Sequence, residues 1–166
     1  MKHKFKDYYM NIAYQSAALS YAEKLKVGAV IVTKTGVMLT SWNGTPIGWD
    51  NVCERAIYPD ENHGDYDCEP KEFAINFPYV RDDNQRYALK TKSEVIHAES
   101  NCISKLAKST ESGKDAVMFI THAPCMECAK LIYQTGITKV FYTETYRSTS
   151  GLEFLEKCGI TVERLD

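Results

Sequence analysis

No run of about 18 apolar residues, the length a membrane-crossing helix needs, occurs anywhere in the chain. Met1-Lys2-His3-Lys4 leads into polar and aromatic residues rather than the apolar core of a secretion signal. The expected setting is therefore the cytoplasm, with no membrane partner. Charge surplus is missing as well: 20 Lys and Arg stand against 22 Asp and Glu, for a net charge of −2. Sequence-independent binders of nucleic acid or anionic membranes draw their affinity from excess cations. A nucleic acid polymer is thus disfavoured, and a small or weakly charged partner is favoured. Cysteine is scarce too. Cys53, Cys68, Cys102, Cys125, Cys128 and Cys158 are too few and too unevenly spaced for a secreted disulfide framework.

What the chain does have is enough apolar sequence, 44% of 166 residues, for one globular domain. Phe5, Tyr8, Tyr9, Ile12, Ser16 and Leu19 recur at helical spacing and predict an amphipathic helix over residues 4–25. A buried strand from Val27 to Val32, a turn at Lys34-Thr35-Gly36 and a second strand from Val37 to Trp42 follow. Two glycines and a proline in residues 43–50 predict a loop with exposed backbone. Residues 54–93 are polar, carry Pro59, Gly64, Pro70 and Pro78, keep no period, and read as an irregular insertion. Beyond it the chain alternates: helix 96–108, strand 116–121, helix 124–135 capped by Gly136, strand 139–143, helix 152–158 and strand 161–165. That alternation predicts a layered α/β sheet.

The sharpest motif is His97-Ala98-Glu99, followed 28 residues after the histidine by Pro124-Cys125-Met126-Glu127-Cys128, each group opening a predicted helix. Two cysteines at i and i+3 share a helix face, and Pro124 suits a first turn. Helix N-termini stabilise thiolates. His97, Cys125 and Cys128 therefore form a candidate Zn²⁺ site, and three protein ligands leave the fourth position open, as in catalytic rather than structural zinc. Glu99 lies roughly 200° around the helix from His97, yet in a first turn it can reach a water in that position. It is the candidate proton shuttle. His-x-Glu with Pro-Cys-x-x-Cys is the pattern of zinc deaminases acting on nucleobases.

Further segments extend the match: Lys26-Val27-Gly28-Ala29-Val30-Ile31, Asn43-Gly44-Thr45-Pro46, Ile96 before His97, Cys128-Ala129-Lys130 and Glu144-Thr145-Tyr146. With them the chain resembles the deoxycytidylate deaminases of the zinc-dependent cytidine/deoxycytidylate deaminase family, and in particular those of T-even-like phages. The resemblance implies a cytidine deaminase-like three-layer α/β/α sandwich around a mixed five-stranded sheet. It implies hydrolysis of dCMP to dUMP and ammonia, the step that feeds dTTP synthesis, in the host cytoplasm if the chain is phage-encoded. Asn43 would hold the sugar, the Ala98 backbone the base, and Lys26 and Tyr146 would lie near the 5′-phosphate. Family members are commonly hexamers activated by dCTP and inhibited by dTTP, the effector bound near the Asn43-Gly44 loop, often with Mg²⁺. Lys108 falls where phage relatives place an effector-contacting arginine.

Other residues take quieter readings. Cys102 and Cys158 read as small core hydrophobes. His122 reads as a structural or cavity-lining residue. Phage relatives also carry a second, structural zinc, and Cys53 roughly matches one of its ligands. A rearranged set of Cys53, His63 and Cys68 is the candidate here. Two rivals share the motif: a deaminase of another cytosine nucleoside or of an adenine in RNA, and a non-catalytic zinc module for protein contacts.

Overall fold

The computed structural model describes residues 1–59 and 74–166. Their elements are α1 (His3–Ala18), β1 (Gly28–Val32), β2 (Met38–Trp42), β3 (Glu54–Ile57), β4 (Tyr79–Val80), β5 (Arg86–Thr91), α2 (Ala98–Ala107), β6 (Val117–His122), α3 (Met126–Thr135), β7 (Lys139–Glu144), α4 (Ser150–Lys157) and β8 (Thr161–Arg164). The main sheet has the order β2-β1-β6-β7-β8. β1 runs antiparallel to both neighbours, whereas β6, β7 and β8 are parallel, so the sheet is mixed and five-stranded. No helix among the described residues is long and apolar enough to cross a membrane.

Side-chain alternation along the central strands builds the layers. Ala29 and Ile31 of β1, Met118 and Ile120 of β6 and Val140 of β7 pack with Cys102 and Leu106 of α2, Ala129 and Ile132 of α3 and Leu155 of α4. The intervening Val30, Val32, Phe119 and Phe141 pack with Met10 and Ala13 of α1 on the opposite face. A strand buried on both faces must be apolar throughout, which is why β1 reads Gly-Ala-Val-Ile-Val. Phe119 and Phe141 are register partners, and their rings stack at 4.9 Å. α1 lies so close to β1 that a Cβ on Gly28 would sit 1.9 Å from the Ala13 carbonyl oxygen. Only glycine permits that approach.

Two expectations need correction. The first helix stops at Ala18 rather than running to residue 25. There the Ser20 hydroxyl donates to the Asn43 carbonyl at 2.8 Å and accepts the Ala22 N–H at 3.1 Å, turning the chain away from the helix axis. The stretch read as irregular holds a second sheet, of order β3-β5-β4. Its strands are two to six residues long, too short to show a period. They are specified instead by pairings between distant residues, such as Glu54 with Thr91, and by rings meeting across them, Tyr79 against Tyr87 at 5.3 Å. Gly136 caps α3 in the left-handed conformation, φ 84°, as its position after the helix suggests.

Candidate active site

Two helix starts converge beside the main sheet. His97 is the residue before α2 and Cys125 the residue before α3, both with extended backbone, and Cys128 sits in the first turn of α3. The His97 Nδ1 lies 3.6 Å from the Cys125 Sγ and 3.4 Å from the Cys128 Sγ. All three donor atoms fall within 4.8 Å of one another, and this is the one such group among the described residues. Tetrahedral zinc with ordinary Zn–S and Zn–N lengths would span S···N edges of about 3.6 Å, so the three residues fit that ion without rearrangement.

Backbone pairing sets where the helices begin. Gly44 and Ile96 exchange hydrogen bonds of 3.1 and 2.9 Å, which pins the residue preceding His97 to the end of β2. The Ser41 hydroxyl donates to the Ala98 carbonyl at 2.6 Å, and the Asn101 amide donates to the Trp42 carbonyl at 3.0 Å. On the cysteine side, the Ala123 N–H donates to the Glu144 carbonyl at 2.8 Å, carrying the β6–β7 pairing up to Pro124. α4 then backs onto this turn: a Cβ on Gly151 would lie 2.1 Å from the Pro124 carbonyl oxygen. None of these supports was anticipated. Ser41, a fully buried hydroxyl in β2, and Gly151, a glycine in a helical first turn, were the legible signals.

The thiols are electrostatically divided. The Cys128 thiol, with help from His97, holds the Cys125 thiol down to about 3, so Cys125 carries the negative charge. Cys128 keeps its proton, held up by the Cys125 sulfur and by burial. His97 is pushed up, first by its hydrogen bond to Cys125. A divalent cation held here would take the place of the protons on Cys128 and His97, since thiol and imidazole ligands bind in their deprotonated forms. Glu99 is buried, 4% exposed, and burial raises its pKa above the ordinary carboxylate value.

A cavity of about 560 Å³ opens beside the group, lined by His97, Ala98, Glu99 and Cys125 together with Asn43 and Tyr146. It lies where β6 and β7 end, at His122 and Glu144, both of which also line it. Carboxyl ends of parallel strands are the usual ligand position in α/β sheets. Asn43 is engaged by its own chain, its Oδ1 accepting the Val27 N–H and its Nδ2 donating to the Leu25 carbonyl, both at 2.8 Å. His122 is half-buried, its Nδ1 3.0 Å from the Thr121 hydroxyl, and burial lowers its pKa.

Other anticipated residues lie elsewhere. Lys26 is exposed and is not among the lining residues, and Gly44 and Lys108 also stand outside the cavity. Lys108 caps the far end of α2, about 15 Å along the axis from Ala98. Cys102 is fully buried in the core, its thiol 3.3 Å from the Leu39 carbonyl. Cys158 follows the last turn of α4 and is partly exposed. Cys53 is buried against Ala22 and Val95 and joins no metal-ligating group among the described residues. His63 and Cys68 lie outside the described residues.

The model of the cytidine and deoxycytidylate deaminase zinc-binding region matches residues 3–144, which contain the three ligand candidates and Glu99. The chain belongs to the cytidine and deoxycytidylate deaminase family. It is 32% identical to the deoxycytidylate deaminase of enterobacteria phage T4 over 92% of this chain and 86% of that protein. The phage T2 deoxycytidylate deaminase is 30% identical over 92% and 88%. Among solved structures it resembles the dCMP deaminase of cyanophage S-TIM5 in complex with dCMP and dUMP, with a TM-score of 0.75, 34% identity and 99% of both chains covered.

Metal analysis of the purified protein tests the division of the cysteines. About one zinc per chain is expected, lost in Cys128→Ala and kept in Cys102→Ala; a Cys102→Ala protein without zinc would contradict the assignment.

Proposed function

We propose that this chain hydrolyses dCMP to dUMP and ammonia. The observation that carries the reading is the single cavity in which Glu99 stands with His97 and Cys125, alongside Asn43, Ala98 and Tyr146. Its volume, about 560 Å³, is of the size that takes one small-molecule ligand. The similarity to a deaminase solved with dCMP and dUMP supports that substrate.

Zinc held by His97, Cys125 and Cys128 supplies a Lewis acid that makes water nucleophilic near neutral pH. Glu99 does the proton work. It takes one proton from the attacking water and gives it to N3 of the cytosine as the oxygen bonds to C4. It then moves the remaining hydroxyl proton to the exocyclic amine while the C4–N bond breaks, leaving the C4 carbonyl of dUMP and free ammonia. The Ala98 N–H, one of the first-turn donors that the helix itself cannot satisfy, faces the base. Asn43, whose amide keeps unused hydrogen-bonding capacity, holds the sugar. A purely structural zinc module calls for a fourth protein ligand, and the group among the described residues stops at three.

The same reading extends to supply of dUMP for dTTP synthesis in the cytoplasm, and to control of a hexamer by dCTP as activator and dTTP as inhibitor, with Mg²⁺ and Lys108 at the effector. The pairing of Gly44 with Ile96, immediately before His97, gives an occupant of the Asn43-Gly44 loop a direct mechanical route to the metal ligands. dCMP saturation curves should steepen at low substrate with dCTP and flatten with dTTP; curves unmoved by either nucleotide would remove the regulatory part. For the chemistry, Glu99→Ala should retain zinc while ammonia release falls by about 10³-fold or more. Turnover persisting near the native rate would overturn the role of Glu99.

A further inference from the structure

His122 and Glu144 end the neighbouring parallel strands β6 and β7 as register partners, so their side chains stand on one face of the sheet, and both line the cavity. The residue before each is tied down. The Thr143 hydroxyl donates to the Thr121 carbonyl at 2.7 Å, and the fully buried Thr121 hydroxyl accepts the Gly28 N–H of β1 at 3.1 Å.

A hydroxyl carries one proton. With Gly28 donating to it, the Thr121 oxygen has His122 Nδ1, at 3.0 Å, as its one other partner among the described residues, and a buried O–H proton goes to an acceptor. Nδ1 therefore accepts, and a neutral ring whose Nδ1 accepts carries its proton on Nε2. Burial lowers the pKa of His122 against the opposing charge of Glu144, which keeps the ring neutral. The histidine thus brings one N–H to the cavity, and the neighbouring Glu144 carboxylate brings acceptors. Neither the Nε2 nor that carboxylate has a hydrogen-bond partner among the described residues.

A donor beside an acceptor complements a hydroxyl, which accepts and donates at one atom. The dCMP molecule has a single sugar hydroxyl, at the 3′ position, because the 5′ oxygen is esterified and the 2′ oxygen is absent. We propose that His122 and Glu144 together read the free 3′-hydroxyl of the substrate, His122 Nε2–H donating to it and Glu144 accepting from it, and that Thr121 is the positioning residue that fixes the histidine tautomer for this task. The inference rests on the dCMP reading above and adds two contacts on the sugar to that of Asn43. A cytidylate whose 3′ oxygen is esterified within a polymer has no proton to give Glu144, so the pair favours a mononucleotide.

The test has a spectroscopic and a kinetic arm, both on zinc-loaded protein. Long-range ¹H–¹⁵N correlation spectra, with His122→Leu identifying the resonances, should show His122 protonated on Nε2 and bare on Nδ1. The Nδ1–H form should appear in Thr121→Val and stay absent in Thr121→Ser. In the kinetic arm kcat/KM is compared for dCMP and its 3′-deoxy analogue. Native protein should favour dCMP by about thirtyfold, and Thr121→Val and His122→Leu should each cut that ratio roughly fivefold, mainly through KM. Thr121→Ser, and His122→Gln, whose amide N–H can take the place of Nε2–H, should restore most of the ratio. Zinc content reports an intact metal site. A native ring protonated on Nδ1, or a native ratio near one with dCMP turned over, would overturn the inference and leave the dCMP reading standing. Native protein that does not deaminate dCMP would overturn both.

Discussion

The site depends on two helices beginning at one point. His97 and Cys125 each stand at a helix N-terminus, where backbone N–H groups lack intrahelical partners and the dipole is positive. Such a place tolerates the negative charge that paired thiols must accept before they hold a metal. The same geometry places Ala98 and Glu99 on the lining of the cavity. If either helix began one residue earlier or later, the ligand would face another direction, because each residue turns the helix by about 100°.

Several contacts far apart in sequence guard that coincidence. β1 pairs antiparallel with both β2 and β6, which puts the C-terminal ends of β2 and β6 at the same edge of the sheet. Gly44 with Ile96 sets the first helix start, and the Glu144 carbonyl with the Ala123 N–H sets the second. Gly28 and Gly151 permit the close backbone approaches that seat α1 and α4. Interiors packed to this density respond to an added methyl group by shifting backbone, and at Gly151 that shift would fall on Cys125.

The chemistry was more legible in the sequence than its supports. His97, Glu99, Cys125 and Cys128 follow from local spacing, since each pair sits within one helical turn and carries few alternatives. The alternation of β6 and β7, and the burial of Cys102, were equally local. The end of α1 was not, because the apolar stripe continues while Ser20 captures a carbonyl from residue 43. Nor was the second sheet, in which β3 finds its partner β5 more than 30 residues away and β4 is only two residues long. Lys24 lines the cavity with its backbone N–H held by the Glu54 carboxylate, a contact between residues 30 apart that no local spacing announces.

Water addition at C4, assisted by the metal and Glu99, is the claim on which everything else turns. Zinc-loaded protein incubated with dCMP in H₂¹⁸O tests it most directly, with mass spectrometry of the nucleotide product. The account predicts dUMP carrying a single ¹⁸O in the base, formed with one equivalent of ammonia and abolished when the metal is removed. Unlabelled product, or undiminished turnover by metal-free protein, would contradict it.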